Sequence, residues 1–416
     1  MNIVPGADTL IRDFLAAHRD AQTAMLATLV QTPSDNPPGD MAPHAEVTAG
    51  LLQAMGFTVE RHMVPAAETA AQGMISCTNL VVRHRFGPGP TIALNAHGDV
   101  VPPGEGWSAN PYGAEIRDGW MIGRGAAVSK SDIATYAYAI AALRASGQTR
   151  GTVELHITYD EETGGEIGPA WLLAQGISKP DIALCAGFSY ELVEAHNGCL
   201  HLEVEITGRS AHAARPSTGI DALEAASAVL AALYRWRKTL SDRVSTIPGI
   251  GAPQLTIGLI SGGINTNVVP DRVVLRMDRR IVPDESPEAV EAEIRAVIAA
   301  VDIAPAHLAI RRILLARPLT PTPAGAMLTE IICRNASAVM GTEVVAAGVP
   351  LYTDARHYAA AGIPVILYGA GPRSIEEANA HRADERVKLD DLYKATEVVA
   401  LSLAEYLNRN RESLSA

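Results

Sequence analysis

The chain has 416 residues, 48% of them hydrophobic, and its formal net charge at pH 7 is −12. A chain of this length can bury a sizeable core and is expected to form two or three domains. The acidic balance argues against nucleic acid as a partner, because phosphate groups are bound by basic surfaces.

Apolar spacing in the first part of the chain predicts helices that alternate with strands. Apolar residues recur at helical intervals after Asp132 (Ile133, Tyr136, Ala137, Ile140 and Leu143) and predict one of these helices, which ends at Ser146 and Gly147. The other predicted helices are Ala7–Leu29, Ala42–Met55 and a short one near Gly168–Gln175, and the predicted strands are Thr78–His84, Thr91–Asn95 and Thr152–Thr158. Strands that alternate with long helices are typical of an α/β sheet with parallel pairs.

The pattern changes near Cys199, where alternating apolar and polar residues predict half-exposed strands. The elements predicted here are the strands Leu200–Ile206, Gln254–Ile260 and Arg272–Asp278 and the helices Ile220–Trp236 and Pro283–Val301. From about Leu314 the α/β character returns, with a strand over Pro364–Tyr368 and a final helix over Leu389–Asn408. We therefore expect a discontinuous catalytic domain of residues 1–199 and 315–416, interrupted by an α+β domain of residues 200–314.

Two of the predicted buried strands end in side chains that can bind metals. Thr91–Asn95 runs on into His97, Gly98 and Asp99, and Thr152–Thr158 is followed by an acidic run of Asp160, Glu161 and Glu162. The carboxyl ends of parallel strands form the usual ligand crevice of an α/β sheet. An imidazole and adjacent carboxylates at this edge predict a metal-dependent hydrolase.

Seven motifs along the chain carry a more specific resemblance. In order they read HGD followed by VVP, GRGA followed by a lysine, DEETGG, GRSAHAARPSTGIDA, GGINTNVVPD with MDRR, TDARH, and AHRADERV. This set resembles the M20 family of metallopeptidases and amidohydrolases, which includes aminoacylases, acetylornithine and succinyl-diaminopimelate deacylases, and glutamate carboxypeptidases. The resemblance implies a zinc-peptidase-like α/β catalytic domain with an inserted α+β lid or dimerisation domain.

The resemblance also implies roles for individual residues. The implied metal ligands are His97, Glu162 and His381. Glu161 resembles the general base that takes a proton from the attacking water, and Asp99 resembles the acid that orients the His97 ring. His212 resembles a donor to the oxyanion, contributed across a dimer, and the implied substrate-contacting residues are Asn267, Arg280 and Arg356.

The chain departs from the family pattern at two metal-binding positions. Val128 stands where the family has an aspartate that bridges two metals. A second family acid falls on Ala186, or on Cys185 or Gly187 in a shifted register, and none of these is a carboxylate. Two imidazoles and one carboxylate still suffice for one catalytic ion. We therefore expect a single Zn²⁺ or Mn²⁺ ion, with Asp132 or Cys185 as alternative replacement ligands.

The function expected from these residues is metal-dependent hydrolysis of a C–N bond in a small substrate that carries a carboxylate. One alternative is hydrolytic deamination of an amino-aromatic acid, because an aminohydrolase of 5-nitroanthranilate belongs to the same superfamily. Another is a catalytically inactive relative that binds a ligand. The implied partners are the small-molecule substrate and a second copy of the chain, in a homodimer or larger homo-oligomer, and neither nucleic acid nor a membrane.

The location expected from the sequence is cytoplasmic. The four cysteines form no CxxC pair, which favours thiols in a reducing compartment. The first residues show no basic segment before an apolar run, and no stretch of about eighteen uncharged apolar residues occurs.

Overall fold

The computed structural model describes residues 6–409 and divides into two compact units. The first unit comprises the chain up to Glu194, Pro321–Ala347 and the part from Thr353 onward. The second unit comprises Ala195–Thr320 and Gly348–Tyr352. The expected insertion of residues 200–314 falls inside the second unit, whose boundaries lie a few residues further out.

Helices and strands alternate through most of the first unit. In the described part of the chain the α-helices are α1 (Ala7–Ala17), α2 (Arg19–Gln31), α3 (Ala42–Ala54), α4 (Ala66–Ala71), α5 (Lys130–Ala145), α6 (Pro169–Ala174), α7 (Ala222–Arg237), α8 (Pro287–Ala299), α9 (Ala326–Met340), α10 (Ala355–Ala360) and α11 (Leu389–Arg409). Short 3-10 helices occupy Glu161–Thr163, Pro216–Thr218, Leu240–Asp242 and Pro323–Gly325.

The strands form one large sheet, one four-stranded sheet and one small sheet. They are β1 (Val59–Met63), β2 (Thr78–Arg85), β3 (Thr91–His97), β4 (Glu115–Arg117), β5 (Trp120–Ile122), β6 (Thr152–Thr158), β7 (Ile182–Cys185), β8 (Leu192–His196), β9 (Gly198–Thr207), β10 (Gln254–Gly262), β11 (Arg272–Ile281), β12 (His307–Ala316), β13 (Ala346–Val349), β14 (Val365–Leu367) and β15 (Arg386–Lys388). The mixed α/β class predicted from the sequence is confirmed.

The large sheet has the order β1-β2-β6-β3-β7-β14-β8-β13. Its centre is parallel, because β3 pairs in parallel with both β6 and β7, and β7 pairs in parallel with β14. The carboxyl ends of these four strands therefore meet at one edge. Strand β3 is buried from Ile92 to His97, as expected of a parallel strand covered on both faces.

Helix α5 packs against this sheet and lies at the centre of the helical layer. It contacts α1, α2 and α11, and its residues are buried without interruption from Lys130 to Leu143. A helix that is buried all round is a core helix rather than an amphipathic surface helix. Its first turn begins directly after the loop that contains Val128, so the core holds this loop in place.

The prediction of a single helix over Ala7–Leu29 is wrong in one respect, because the chain forms two helices, α1 and α2, that are separated at His18. The His18 backbone leaves helical geometry (φ −115°, ψ 13°), and its Nδ1 lies 2.7 Å from the carbonyl oxygen of Phe14. Both helices keep apolar residues at helical spacing, and periodicity alone therefore does not reveal the break.

The second unit is built on an antiparallel sheet of order β10-β11-β9-β12, with α7 and α8 packed against it. Strand β9 alternates buried and half-buried residues, as the sequence pattern predicts. The fourth strand, β12, was not predicted. It lies at the sheet edge, where half of its ten residues are exposed and one is buried, and this weakens the apolar alternation on which strand prediction depends.

Within residues 6–409, none of the helices combines the length and the apolar character that crossing a membrane requires.

Candidate active site

The candidate site lies where β3 and β6 end side by side. These strands are in register, with His97 paired to Thr158, and the acidic run follows two residues after Thr158. The chain then forms the 3-10 turn Glu161–Thr163. The parallel pairing therefore brings the imidazole of one strand end beside the carboxylates of the other.

Four of the residues predicted from the sequence meet at this edge. Candidate ligand atoms of His97, Glu161 and Glu162 all lie within 4.8 Å of one another. His381 joins them from the C-terminal segment, with Nε2 located 3.4 Å from Glu162 Oε1. The His381 backbone has a φ of 61°, a left-handed conformation that is uncommon for a residue other than glycine. The turn around His381 therefore has a specific geometry that directs the ring to Glu162.

Asp99 organises the two strand ends through its carboxylate. It accepts hydrogen bonds from the backbone N–H of Glu161 (3.3 Å) and of Glu162 (3.1 Å), and from Asn36 Nδ2 (3.1 Å). His97 Nδ1 lies 3.0 Å from the Asp99 carbonyl oxygen and 3.4 Å from its carboxylate. With Nδ1 as the donor, Nε2 of His97 keeps its lone pair, which is the form that binds a metal.

The electrostatics of the group fit a bound cation. Burial raises the pKa of Glu161, and the nearby charges of Glu162 and Asp99 raise it further, while His97 opposes them. Burial alone would lower the pKa of His97, but its hydrogen bond to Asp99 and the charge of Glu161 raise it well above its usual value. Several carboxylates close together in a partly desolvated site repel one another, and a bound cation relieves this repulsion. The donor set of imidazole nitrogen and carboxylate oxygen suits a divalent ion such as Zn²⁺ or Mn²⁺.

The two positions that depart from the family pattern supply no ligand. Val128 is an apolar residue packed against the core of the first unit. Its N–H and that of Ala127 donate to Glu385 Oε1, each over 3.1 Å. Directly after β7, Ala186 donates its N–H to the carbonyl oxygen of Asn95 over 2.8 Å. Neither side chain contains an oxygen or nitrogen atom that could bind a metal.

The structure also shows how the two alternative ligands are placed. Asp132 is 1% exposed, and its Oδ1 accepts a hydrogen bond from the N–H of Ala370 over 2.6 Å. Burial raises the pKa of Asp132 to about 7. Cys185 is buried, and burial raises the pKa of its thiol well above the usual range. Within the described residues, neither belongs to the group of ligand atoms around His97.

Arg356, predicted to contact the substrate, is instead hydrogen-bonded to backbone carbonyl oxygens. It is 5% exposed, and its guanidinium donates to the carbonyl oxygens of Gly164 and Thr353. Gly164 directly follows the 3-10 turn that carries Glu161 and Glu162. The observed contacts therefore make Arg356 a support of the acidic turn.

The other predicted residues, His212, Asn267 and Arg280, lie in the second unit. His212 and Asn267 are neighbours, because the N–H of Ala213 donates to the carbonyl of Asn267 over 3.0 Å. The N–H of Ala214 donates to His212 Nδ1 over 3.0 Å. Since Nδ1 is the acceptor, a neutral His212 carries its proton on Nε2, the nitrogen available to donate elsewhere.

Sequence reasoning missed several residues that hold the site together. Arg124 and Glu385 form a buried pair that joins the loop before α5 to the segment of His381. Asp354 is 4% exposed, and its Oδ2 accepts from Thr158 Oγ1 over 3.3 Å. Burial raises the pKa of Asp354, and the charge of Glu161 adds to the effect. The GRGA, TDARH and ADER motifs contain these three residues, so a signal was present without an assigned role.

Comparisons with known proteins match most of the chain. Residues 93–405 match the sequence model of the peptidase family M20/M25/M40. A succinyl-diaminopimelate desuccinylase of Rhodospirillum rubrum is 29% identical over 397 residues, which cover 90% of this chain and 95% of the relative.

Two solved structures share the fold at low sequence identity. An aminopeptidase PepT from Bacillus cereus superposes with a TM-score of 0.72 at 23% identity, over 93% of this chain and 98% of the other. A Bacillus subtilis protein described as a dinuclear metal-binding peptidase of the M20 family superposes with a TM-score of 0.67 at 15% identity, over 94% and 99% of the two chains.

Proposed function

We propose that this chain, which belongs to the peptidase family M20/M25/M40, hydrolyses an amide C–N bond in a small carboxylate-bearing substrate with a single metal ion. The chain is an enzyme of the metal-dependent amide-hydrolase class, as its relatives are. The proposal concerns the number of ions, the roles of the residues and the kind of substrate. One observation carries it: His97, Glu162 and His381 come together beside Glu161, while Val128 and Ala186 offer no carboxylate for a second ion.

In this proposal His97, Glu162 and His381 would hold the ion, which when bound would lower the pKa of a water molecule and polarise the scissile carbonyl. Glu161 accepts the proton of the attacking water and passes it to the leaving nitrogen. General acid–base help of this kind contributes roughly 10²–10⁴-fold to a rate. Asp99 holds the N–H groups of Glu161 and Glu162 and so sets the distance between base and ligand.

Residues of the second unit are proposed to bind the substrate. His212 would donate from Nε2 to the developing oxyanion, for which one donor contributes about 10²–10³-fold. Arg280 is half-buried, and its guanidinium suits a substrate carboxylate. Arg356, already bonded to Gly164, is the less suitable carboxylate partner. Asn267 would contact the substrate from the loop beside His212.

The relatives suggest the first substrates to test. Several relatives are named succinyl-diaminopimelate desuccinylases. These names favour N-acyl amino acids with more than one carboxylate as substrates. We therefore propose a deacylase or peptidase acting on such small acids.

A second candidate function is hydrolytic deamination of an amino-aromatic acid. Val128 in place of the bridging aspartate favours this deamination, because a site with one ion differs from the dinuclear site named for a structural relative and can therefore support different chemistry. The inactive-relative hypothesis has less support, because the side chains proposed as base and ligands (Glu161, His97, Glu162 and His381) lie together.

One screen separates these functions. The protein, loaded with Zn²⁺ or Mn²⁺, is incubated with N-succinyl and N-acetyl amino acids, dipeptides and aminobenzoates, and free amine and ammonia are measured separately. Amine release supports deacylation or peptide hydrolysis, and ammonia release from an aminobenzoate supports the second function. No bound ion and no metal-stimulated turnover would refute both.

We also propose that the chain forms a homodimer through the second unit. Strand β10 lies at the edge of its sheet, and its residues Leu259 and Ile260 are 61% and 56% exposed. An exposed edge strand with apolar side chains is a surface on which a second copy can pair. Light scattering of the purified protein tests this, and a monomer at micromolar concentration contradicts it.

A further inference from the structure

The second unit carries a thiol, an imidazole and a carboxylate that have no part in the function proposed above. Cys199 and His201 lie two residues apart on β9, so their side chains share one face of the sheet. Asp278 is directly opposite His201 on the neighbouring strand β11. Candidate ligand atoms of the three residues all lie within 4.8 Å of one another.

Two distances within this group are close to those of a tetrahedral metal site. Cys199 Sγ lies 3.5 Å from Asp278 Oδ2, and His201 Nε2 lies 3.1 Å from the same oxygen. With zinc bonds of about 2.3 Å to sulfur and about 2.1 Å to nitrogen or oxygen, neighbouring ligand atoms are roughly 3.4–3.6 Å apart. An ion therefore fits between the three side chains after small rotations, with the two strands unmoved.

A fourth residue holds the carboxylate in a suitable orientation. Arg280 Nε donates to Asp278 Oδ1 over 3.1 Å, which leaves Oδ2 directed at Cys199 and His201. Outer hydrogen bonds of this kind orient ligating carboxylates in metal sites. The Arg280 guanidinium is in turn positioned 5.7 Å from the ring centre of Tyr352.

The group is open enough for an ion to enter. Cys199 is buried, whereas the His201 and Asp278 side chains are 36% and 28% exposed. Three protein ligands with solvent on one side leave a fourth position for water. Thiolate together with imidazole favours Zn²⁺ over Mg²⁺ or Mn²⁺.

We propose that Cys199, His201 and Asp278 bind one Zn²⁺ ion in the second unit, in addition to the ion of the candidate active site. Binding converts the Cys199 thiol to a thiolate and releases its proton to solvent. The ion joins β9 to β11 through side chains. Because it holds Asp278, the partner of Arg280, occupancy of this site also sets the position of the Arg280 guanidinium.

Cobalt spectroscopy on the full-length protein tests the proposal, because a cobalt–thiolate bond gives a charge-transfer band in the near ultraviolet. We expect the band in the wild type and its loss in C199S. It should persist in C333S, a matched cysteine control outside both ligand groups, and in E162Q, which removes a ligand of the candidate active site. H201N should weaken Co²⁺ binding by roughly tenfold or more while the thiol remains.

Two results would overturn the inference. One is a folded wild-type protein, checked by circular dichroism, that gives no thiolate band at saturating Co²⁺. The other is a band that survives C199S but is lost in C185S, which would put the thiolate ligand in the first unit. The measurement reports sulfur coordination and not turnover, so failure here leaves the proposed hydrolase function untouched.

Discussion

Arg124 Nη1 donates to Glu385 Oε2 over 2.6 Å, and each side chain is 1% exposed. The other carboxylate oxygen of Glu385 accepts the N–H groups of Ala127 and Val128. This one side chain therefore binds both the loop that lacks the bridging aspartate and the segment that carries His381. The placement of His381, a proposed metal ligand, thus depends on a buried ion pair outside the ligand group.

Breaking this pair should be costly. E385Q leaves Arg124 buried without its ionic partner, and we expect a loss of about 3–5 kcal/mol in the free energy of unfolding. The matched control is E115Q, which breaks the exposed pair of Glu115 with Arg117 and should cost less than about 1 kcal/mol. Urea denaturation followed by circular dichroism measures both. Equal losses in the two variants would show that burial does not govern the Arg124 pair.

Glu161 is predicted to act in catalysis rather than in metal binding. E161Q keeps the size of the side chain but removes its basicity, so turnover should fall by about 10²–10⁴-fold with metal content unchanged. E166Q is the control, since Glu166 belongs to the same acidic loop but its side chain is 52% exposed. Steady-state kinetics with metal analysis decides the matter. A loss of metal in E161Q would instead make Glu161 a ligand.

His381 is predicted to be a metal ligand. H381N removes the ring nitrogen that lies 3.4 Å from Glu162. Loss of a residue that only hydrogen-bonds a ligand weakens metal binding by about 10–100-fold, so loss of the ligand itself should weaken it by at least roughly that factor. H62N is the control, because His62 pairs with Glu60 on β1, an edge strand of the large sheet that carries none of the predicted site residues. Titration with Zn²⁺ against a chelating dye measures the affinity, with H381N and H62N both made in the C199S background so that only the candidate active site is reported. An unchanged affinity in H381N contradicts the assignment.

The number of ions can be tested by restoring the missing carboxylates. V128D, alone or with A186E, should raise metal content from one ion toward two per chain when both are made in a C199S background that removes the proposed site of the second unit. V128N has the same shape without the charge and should stay at one ion. Atomic emission analysis of dialysed protein gives the count. Two ions in the C199S parent itself would refute the single-ion proposal.

A pH-dependent contribution to stability is expected in the second unit. Glu293 accepts from Arg243 and from Trp236 Nε1, and the Arg243 hydrogen bond is the main reason that its pKa is lowered to about 2. A carboxyl group with a depressed pKa stabilises the fold above its ordinary pKa, and that stability is lost as the pH falls toward 2. Both side chains are more than a third exposed, so the contribution is about 1 kcal/mol after solvent screening.

E293Q tests this contribution by urea denaturation at pH 7 and at pH 3. The variant should be less stable than the wild type at pH 7. The difference should shrink at pH 3, because Glu293 of the unfolded wild-type chain is then mostly protonated while the folded state keeps a pKa of about 2. E224Q serves as the control, because it changes an exposed glutamate at the start of α7. A difference that is independent of pH would show that shape, and not charge, is responsible.

The sequence by itself determined the class of fold and the two strand ends of the site. The predicted bounds of β6 match the structure, and β3, α5 and α11 lie where apolar spacing put them. These features depend on patterns within one segment, because burial of one face imposes a period of 2 or 3.6 residues on the chain. The resemblance of seven motifs added the residues that meet at the site.

Only the tertiary structure decided which side chains touch. The approach of His381 to Glu162, the bond of Asp132 to Ala370 and the use of Arg356 to support the acidic turn all join segments that are distant in the chain. The group of Cys199, His201 and Asp278 likewise depends on the register between β9 and β11. Such contacts are set by how whole elements pack and pair, and no local pattern of residues records that information.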